Sequence, residues 1–268
     1  MKLIEQLSQD FPESSKRTLL QWIKFGRVLV DGKPVTQPHH SLEEGESYSM
    51  KDKKQEAFGM RILYRDKHFV VIDKPPGLLS VPSPTNPVSA LKLLNHHFKT
   101  KNLFAVHRID QDTSGALLFV WGKEGQTAFD PLFFEHKLER EYCAIVEGNL
   151  PQDQGTWELP LTELESYEVV VDPNGKKAIT HFQVVKRSKQ FTYLKLRLET
   201  GRKHQIRVHC KEAGYPILGD RRYGKSNTRL FLHAHTLAFV HPFTGKEMRF
   251  AAPLPPLFKK RGFPTCQQ

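Results

Sequence analysis

Three cysteines stand in 268 residues, Cys143, Cys210 and Cys266, far apart and without a Cys-x-x-Cys pair. This excludes a disulfide framework and a zinc ribbon, and fits a reducing compartment. No apolar run reaches the roughly 18 residues that would span a bilayer. The opening segment Met1–Asp10 is polar and lacks the apolar core of a secretory signal. The expectation is a cytoplasmic protein with no membrane partner. No period of roughly 20–50 residues recurs, which excludes a solenoid. The 13 histidines invite a metal, yet none forms an HExxH or a His–carboxylate cluster with ligand spacing. His233 and His235 share a strand face, and His204 and His209 lie near one helix. They read as structural histidines, with no metal.

Acidic residues are the other shortage. Forty Lys and Arg against 29 Asp and Glu leave a net charge of +11, which points to a polyanionic partner. Residues 1–60 are balanced, with 9 basic and 9 acidic groups, whereas Lys186–Arg229 holds 13 basic and 3 acidic ones. That concentration predicts a positive face on one part of the fold.

The length allows one large domain and a small one. Residues 1–50 read as a small module. Ser14 or Ser15 caps a helix carrying Leu19, Leu20 and Ile23, Gly26 ends it, and Arg27–Val35 forms a hairpin about Asp31-Gly32. The charged, apolar-free stretch from Lys51 to Glu56 places a linker at 51–60. The main domain runs 61–258 and a tail 259–268. Strands are expected at Phe69–Ile72, Gly115–Trp121, Glu141–Glu147 and Phe191–Glu199, and helices at Val88–Phe98 and Lys123–Phe134. Many strands with few helices favour an α+β domain, its mixed sheet largely antiparallel, strongly bent and flanked by helices.

Four blocks carry chemistry. His107-Arg108-Ile109-Asp110-Gln111-Asp112-Thr113-Ser114-Gly115 leads into an apolar strand, an order that would hold one carboxylate at the mouth of a sheet beside fixed positive charge. In Gly201-Arg202-Lys203-His204-Gln205-Ile206-Arg207-Val208-His209, the spacing puts Lys203, Arg207 and Lys211 on one helical stripe and Ile206, Cys210 and Ala213 on a buried one. Tyr142 sits in an apolar strand, where a tyrosine more often packs than reacts. Asp73–Pro82, with two prolines and a glycine, builds a stiff turn after a buried strand.

These blocks resemble the RluA family of pseudouridine synthases. The first matches HRLD-x-x-TSG with Ile109 in place of leucine, and the second matches GR-x-HQ-[IL]-R-x-H at every fixed position. Arg140-Glu141-Tyr142 follows K-x-Y with arginine for lysine, and Lys74-Pro75-Pro76-Gly77 follows KP-x-G. The stretches Gly219–Gly224, Leu230–His235 and His241–Gly245 continue the likeness, and the N-terminal module resembles one shared by a small-subunit ribosomal protein and many RNA-modifying enzymes.

The resemblance implies an enzyme that isomerises a uridine extruded from structured RNA, with no cofactor. Asp110 is its nucleophile, Arg207 holds that acid ionised and oriented, and Tyr142 packs on the ring and serves proton removal. Arg108 wedges into the gap left by the base, His107 orients the turn, and Lys74 is mainly structural. Arg202 and Ile206 contact substrate. Arg221, Arg222, Lys225 and Arg229 reach phosphates, as do Lys16, Arg17, Lys24, Arg27 and Lys33 of the module. The RNA partner is ribosomal, from the large subunit, in preference to transfer RNA, because a second binding point suits a structured target. A monomer is expected. A non-catalytic RNA-binding factor is the alternative of another class. A metal-dependent nuclease built on Asp110 and Asp112 is disfavoured, since Arg108 and Arg207 would repel a divalent cation.

Overall fold

The computed structural model describes residues 2–12, 14–24, 26–37, 39–43, 45–50, 56–135, 137–225 and 229–263, which fall into two compact units. The first takes in residues 1–62 and 93–101; the second takes in 63–92 and 102–268.

In the first unit, helices α1 (Leu3–Asp10) and α2 (Lys16–Lys24) are followed by strands β1 (Val28–Val30), β2 (Lys33–Val35) and β3 (Tyr48–Met50). Of the two expected caps, Ser15 is the one used: its Oγ accepts the Thr18 N–H at 3.2 Å. Asp31 and Gly32 both have positive φ, 48° and 74°, while Val30 faces Lys33. Such a two-residue turn matches the twist of the strands it joins. Leu3, Ile4 and Leu7 bury one face of α1 against Leu19, Ile23, Val28 and Val30. Within the stretch read as a linker, residues 51–55 lie outside the described residues. Glu56–Ala57 is β4, turning into β5 (Met60–Arg65), and the Phe58 and His96 rings meet at 5.3 Å.

The chain continues with β6 (Phe69–Lys74), α3 (Ala90–His97), β7 (Leu103–Ala105), β8 (Ser114–Trp121), α4 (Gly122–Phe134), β9 (Glu139–Glu147), β10 (Gln154–Glu158), β11 (Leu161–Glu163), β12 (Val169–Val171), β13 (Ile179–Arg187), β14 (Phe191–Leu198), α5 (Gln205–Glu212), β15 (Leu232–Val240), β16 (Glu247–Ala251) and α6 (Pro256–Lys260). The large sheet runs β10-β13-β14-β9-β15-β8-β6-β5, with β16 on β15 and β7 on β8; β11 and β12 form a separate hairpin. Antiparallel pairing extends from β10 to β15 and joins β8 to β6, whereas β15 and β8 run parallel over a short register, His233 to Ser114 and Ala234 to Gly115. Irregularities at Val184/Lys186 and Ala234/Thr236 bend the strands. Phe69, Val71, Leu118, Val120, Phe129, Leu237, Phe239 and Phe250 pack one face, with α4 docked through Phe129.

Of the tail expected at 259–268, Phe263 is buried and its ring lies 5.8 Å from that of Phe258, which also meets Phe231 at 5.2 Å; 264–268 lie outside the described residues. One expectation fails: α5 does not show one wet and one dry stripe. Lys203 precedes it, and Gln205, Ile206, Arg207, Val208, His209 and Cys210 are all buried.

Candidate active site

The loop His107–Thr113 joins β7 to β8 at the end of the parallel pair and is held at His107, Ile109 and Gln111. The Lys74 ammonium is completely buried and donates to the carbonyls of Leu78 (2.7 Å), Gln111 (2.9 Å) and Pro75 (3.0 Å). Burial pulls its pKa down to about 7, against the opposing charges of Asp110 and Asp112. Ser80 clasps Ile109 twice, donating to its carbonyl at 2.7 Å and accepting its N–H at 3.2 Å. The Nε2 of His107 accepts the Leu118 N–H at 3.0 Å, and its ring stacks on Phe133 with centroids 4.9 Å apart. Burial pushes this imidazole down to about 3, so it is neutral and carries its proton on Nδ1. Gly115 has φ +115°, and a methyl group there would overlap the Ala234 backbone. Only glycine lets β8 and β15 approach at this point.

Arg207 enters from α5 between two carboxylates. Its Nη1 lies 3.4 Å from Asp110 Oδ2, while Nε and Nη2 each donate to Asp220 at 2.8 Å. The Asp220 Oδ1 also accepts the N–H groups of Arg222 and Tyr223 at 3.0 Å. Burial alone would raise the Asp220 carboxyl; the bonds and charge of Arg207, with those two amides, hold it below the usual range. Burial works against the charge on Arg207 too, but Asp220 and then Asp110 more than reverse it and raise its pKa. His204, left-handed at φ 53°, bonds Tyr223 Oη through Nδ1 at 2.8 Å and brings Nε2 within 4.0 Å of Asp110 Oδ2. Burial pushes it down to about 4, against the pull of Asp110, leaving a neutral ring.

Asp110 opens onto a cleft of about 420 Å³, a size suited to a small organic group. Its lining includes Arg108, Ile109, Asp130, Phe133, Phe134, Arg140, Tyr142, Leu198, Arg202, His204, Ile206, Arg207 and Leu232. Tyr142 is buried, and its phenol is pushed up by that burial. A neighbouring depression is lined by Asp110, Asp112, His204, Arg207, Arg221 and Arg222.

Asp110, Tyr142, Arg207, Arg108, His107, Ile206 and Arg202 therefore share one cleft, and Arg221 and Arg222 the depression beside it. Lys74 lies behind the loop with its donors used. Arg229, half-buried, gives Nη2 to Ser114 Oγ at 2.8 Å and lies over the Phe258 ring. In the first unit Lys16, Arg17, Lys24 and Lys33 are exposed, while Arg27 lies over Trp22 at 4.5 Å. Five basic groups of the stretch expected to give a positive face are ion-paired: Arg187 with Asp153, Lys195 with Glu141, Lys203 with Glu163, Lys211 with Glu212 and Arg207 with Asp220. Asp220, His204, Tyr223, Phe133 and Phe134 were given no part by sequence reasoning; the GD-x-x-Y stretch was the one signal for Asp220 and Tyr223. Among the described residues, no group of three or more His, Cys, Asp or Glu could hold a metal ion, and no helix is long and apolar enough to cross a membrane.

Residues 68–212 match the RNA pseudouridylate synthase family, and residues 1–47 match the S4 domain. Ribosomal large subunit pseudouridine synthase D of Xanthomonas campestris pv. campestris is 35% identical over 283 residues, covering 93% of this chain and 84% of that protein. The protein of the same name from Pseudomonas aeruginosa is 34% identical, covering 95% and 88%. An uncharacterized RNA pseudouridine synthase of Bacillus subtilis, YjbO, is 36% identical, covering 90% and 92%. Among solved structures, human RNA Pseudouridylate Synthase Domain Containing 1 shares the fold, with TM-score 0.64 and 24% identity over 75% of this chain and 85% of that one. With the family match across more than half of its length and relatives along nearly all of it, this chain belongs to the RNA pseudouridylate synthase family and carries an S4 domain at its N-terminal end.

Proposed function

We propose that this protein isomerises uridine to pseudouridine in large-subunit ribosomal RNA, with Asp110 as the nucleophile acting on a base drawn out of the RNA stack. The observation that carries the reading is one carboxylate on an immobilised loop, open to a cleft and 3.4 Å from a guanidinium that Asp220 holds in place. The reaction breaks the bond from ribose to ring nitrogen and forms one to carbon, so a single carboxylate suffices and neither metal nor cofactor is required. Extruding the base costs a few kcal/mol of stacking. Arg108, exposed at the cleft, is suited to fill the gap, Tyr142 and Ile206 to hold the ring, and Arg202, Arg221 and Arg222 to meet phosphates.

In this reading residues 1–50 bind RNA through Lys16, Arg17, Lys24, Arg27 and Lys33, residues 61–258 carry out the chemistry, and the chain acts as a monomer. The relatives named as large-subunit ribosomal enzymes, and the S4 domain as a second RNA grip, favour ribosomal over transfer RNA. Mapping pseudouridines in RNA from cells with and without the gene tests it. Loss of one or a few sites in large-subunit ribosomal RNA is the expected result. Identical ribosomal maps with a site missing from transfer RNA would overturn the substrate, and identical maps throughout would overturn the activity.

A further inference from the structure

We propose that Arg140 is a catalytic residue whose guanidinium takes up the negative charge that gathers on the uracil carbonyl oxygens while Asp110 is bonded to the nucleotide. The inference rests on the uridine-isomerising reading of the cleft and assigns it a second charged group.

Strand alternation puts Arg140 and Tyr142 on one face of β9, and both line the cleft. Their neighbours pair off elsewhere, Glu139 with Arg249 at 3.3 Å and Glu141 with Lys195 at 2.9 Å. Arg140 has no such counter-ion: among the described residues no carboxylate pairs with it. Among the described residues its one hydrogen bond is from Nη2 to the Glu199 carbonyl at 3.2 Å, and its buried Nε meets no acceptor. Gly201 leaves room for the group, since a methyl group there would overlap Arg140 Nη1. A desolvated cation without a partner is costly to keep. Such a group is accounted for if its partner arrives with the substrate. Arg207 cannot fill this part, because Nε, Nη1 and Nη2 are all directed at Asp220 and Asp110.

The chemistry demands a cation here whichever way Asp110 attacks. If the carboxylate adds to C1′ of the ribose, the C1′–N1 bond breaks and its electron pair passes to N1, spreading to O2 and O4. If the carboxylate adds to C6 of the ring, the C5–C6 π pair moves to C5 and on to O4 as an enolate. Both intermediates are anionic uracils. In the first route C5 then bonds C1′ as the C1′–O bond returns its pair to the Asp110 carboxylate; in the second, C5 bonds C1′ as the C1′–N1 bond breaks with its pair passing to N1, and the C6–O bond then releases Asp110. Either way C5 loses its proton and N1 gains one, so the sum is an isomerisation. A fixed donor aimed at a developing oxyanion typically contributes about 10²–10³ in rate.

The test measures single-turnover pseudouridine formation on an unmodified large-subunit ribosomal RNA transcript and on an unmodified transfer RNA pool, with wild-type protein, Arg140→Met and Arg140→Lys. RNA affinity and thermal unfolding are followed alongside. Arg140→Met is expected to slow the reaction about 10²-fold or more, with affinity nearly unchanged and the folded state no less stable; Arg140→Lys recovers part of the rate. Transcripts carrying 5-fluorouridine supply a readout that a structural role would not move. Fluorine stabilises the ring anion by itself, so the deficit of Arg140→Met in consuming 5-fluorouridine should be smaller than in consuming uridine. A wild-type rate in Arg140→Met, a loss confined to affinity, or equal deficits on the two substrates would overturn the assignment. A wild-type protein inactive on both RNAs would instead overturn the functional reading beneath it.

Discussion

Replacing Asp220 by asparagine changes no volume and removes one charge, which makes it the sharpest probe of how Arg207 is held. The carboxylate accepts four hydrogen bonds, two from Arg207 at 2.8 Å and two from backbone amides at 3.0 Å. Both amides and Arg207 Nη2 use Oδ1, so the asparagine oxygen would stay there and turn its NH₂ toward Arg207 Nε. Two donors then face each other, and a buried cation loses its main counter-charge. Removing one member of a buried pair costs about 3–5 kcal/mol. The residual contact with Asp110 at 3.4 Å argues for the lower end, about 3 kcal/mol. At about 2–4 °C per kcal/mol for a chain of this size, the midpoint of thermal unfolding should fall by roughly 6–12 °C. Urea and thermal unfolding would measure it, combined with Arg207→Gln in a double-mutant cycle whose coupling should exceed about 1 kcal/mol. A destabilisation under about 1 kcal/mol, or additive single effects, would refute the claim that Asp220 anchors Arg207.

Further expectations follow from the same geometry. Lys74→Met strands three carbonyls at about 1–3 kcal/mol each, so it should lower stability by several kcal/mol and slow turnover by loosening the Asp110 loop; unfolding and rate measurements decide. Gly115→Ala forces a methyl group into the Ala234 backbone at φ +115° and should cost more than about 4 kcal/mol or prevent folding, read from soluble yield. His233 is buried and pushed down to about 3 by that burial, while the unfolded chain protonates it near 6.5. The unfolded state thus binds the proton first, so its contribution to stability is complete above about pH 6.5 and fades as pH falls toward 3. Urea midpoints against pH should show this fall, and His233→Gln should make it shallower, with the buried His107 and His204 supplying the rest. If about six basic groups meet RNA phosphates, log affinity should drop with log salt at a slope near −4; a slope near zero would exclude an electrostatic grip.

Local signals were legible wherever the physics is local. The Asp31-Gly32 turn, the Ser15 cap and the bounds of α4 and β14 came within a residue or so, because turn chemistry and periodicity fix them over a few positions. Helix α1 went unread because its mean polarity conceals the one face formed by Leu3, Ile4 and Leu7. Arg207 was legible through its motif but misplaced on a wet stripe, since the carboxylates that draw it inward lie 97 and 13 residues away. Lys74 had a structural part from its motif, but its three partners were beyond pattern reading because they are backbone carbonyls, which every residue carries. The charge count could not show which cations are paired, because the partners of Arg187, Lys195 and Lys203 are Asp153, Glu141 of β9 and Glu163 of β11, all outside the run counted.

The central claim concerns Asp110, and the most direct measurement is single-turnover pseudouridine formation by Asp110→Asn. The substitution keeps the side chain's shape on a loop held by Lys74 and Ser80. The account predicts a folded protein that binds RNA as well as the wild type and yields no detectable pseudouridine. Pseudouridine appearing at a rate near that of the wild type would contradict it.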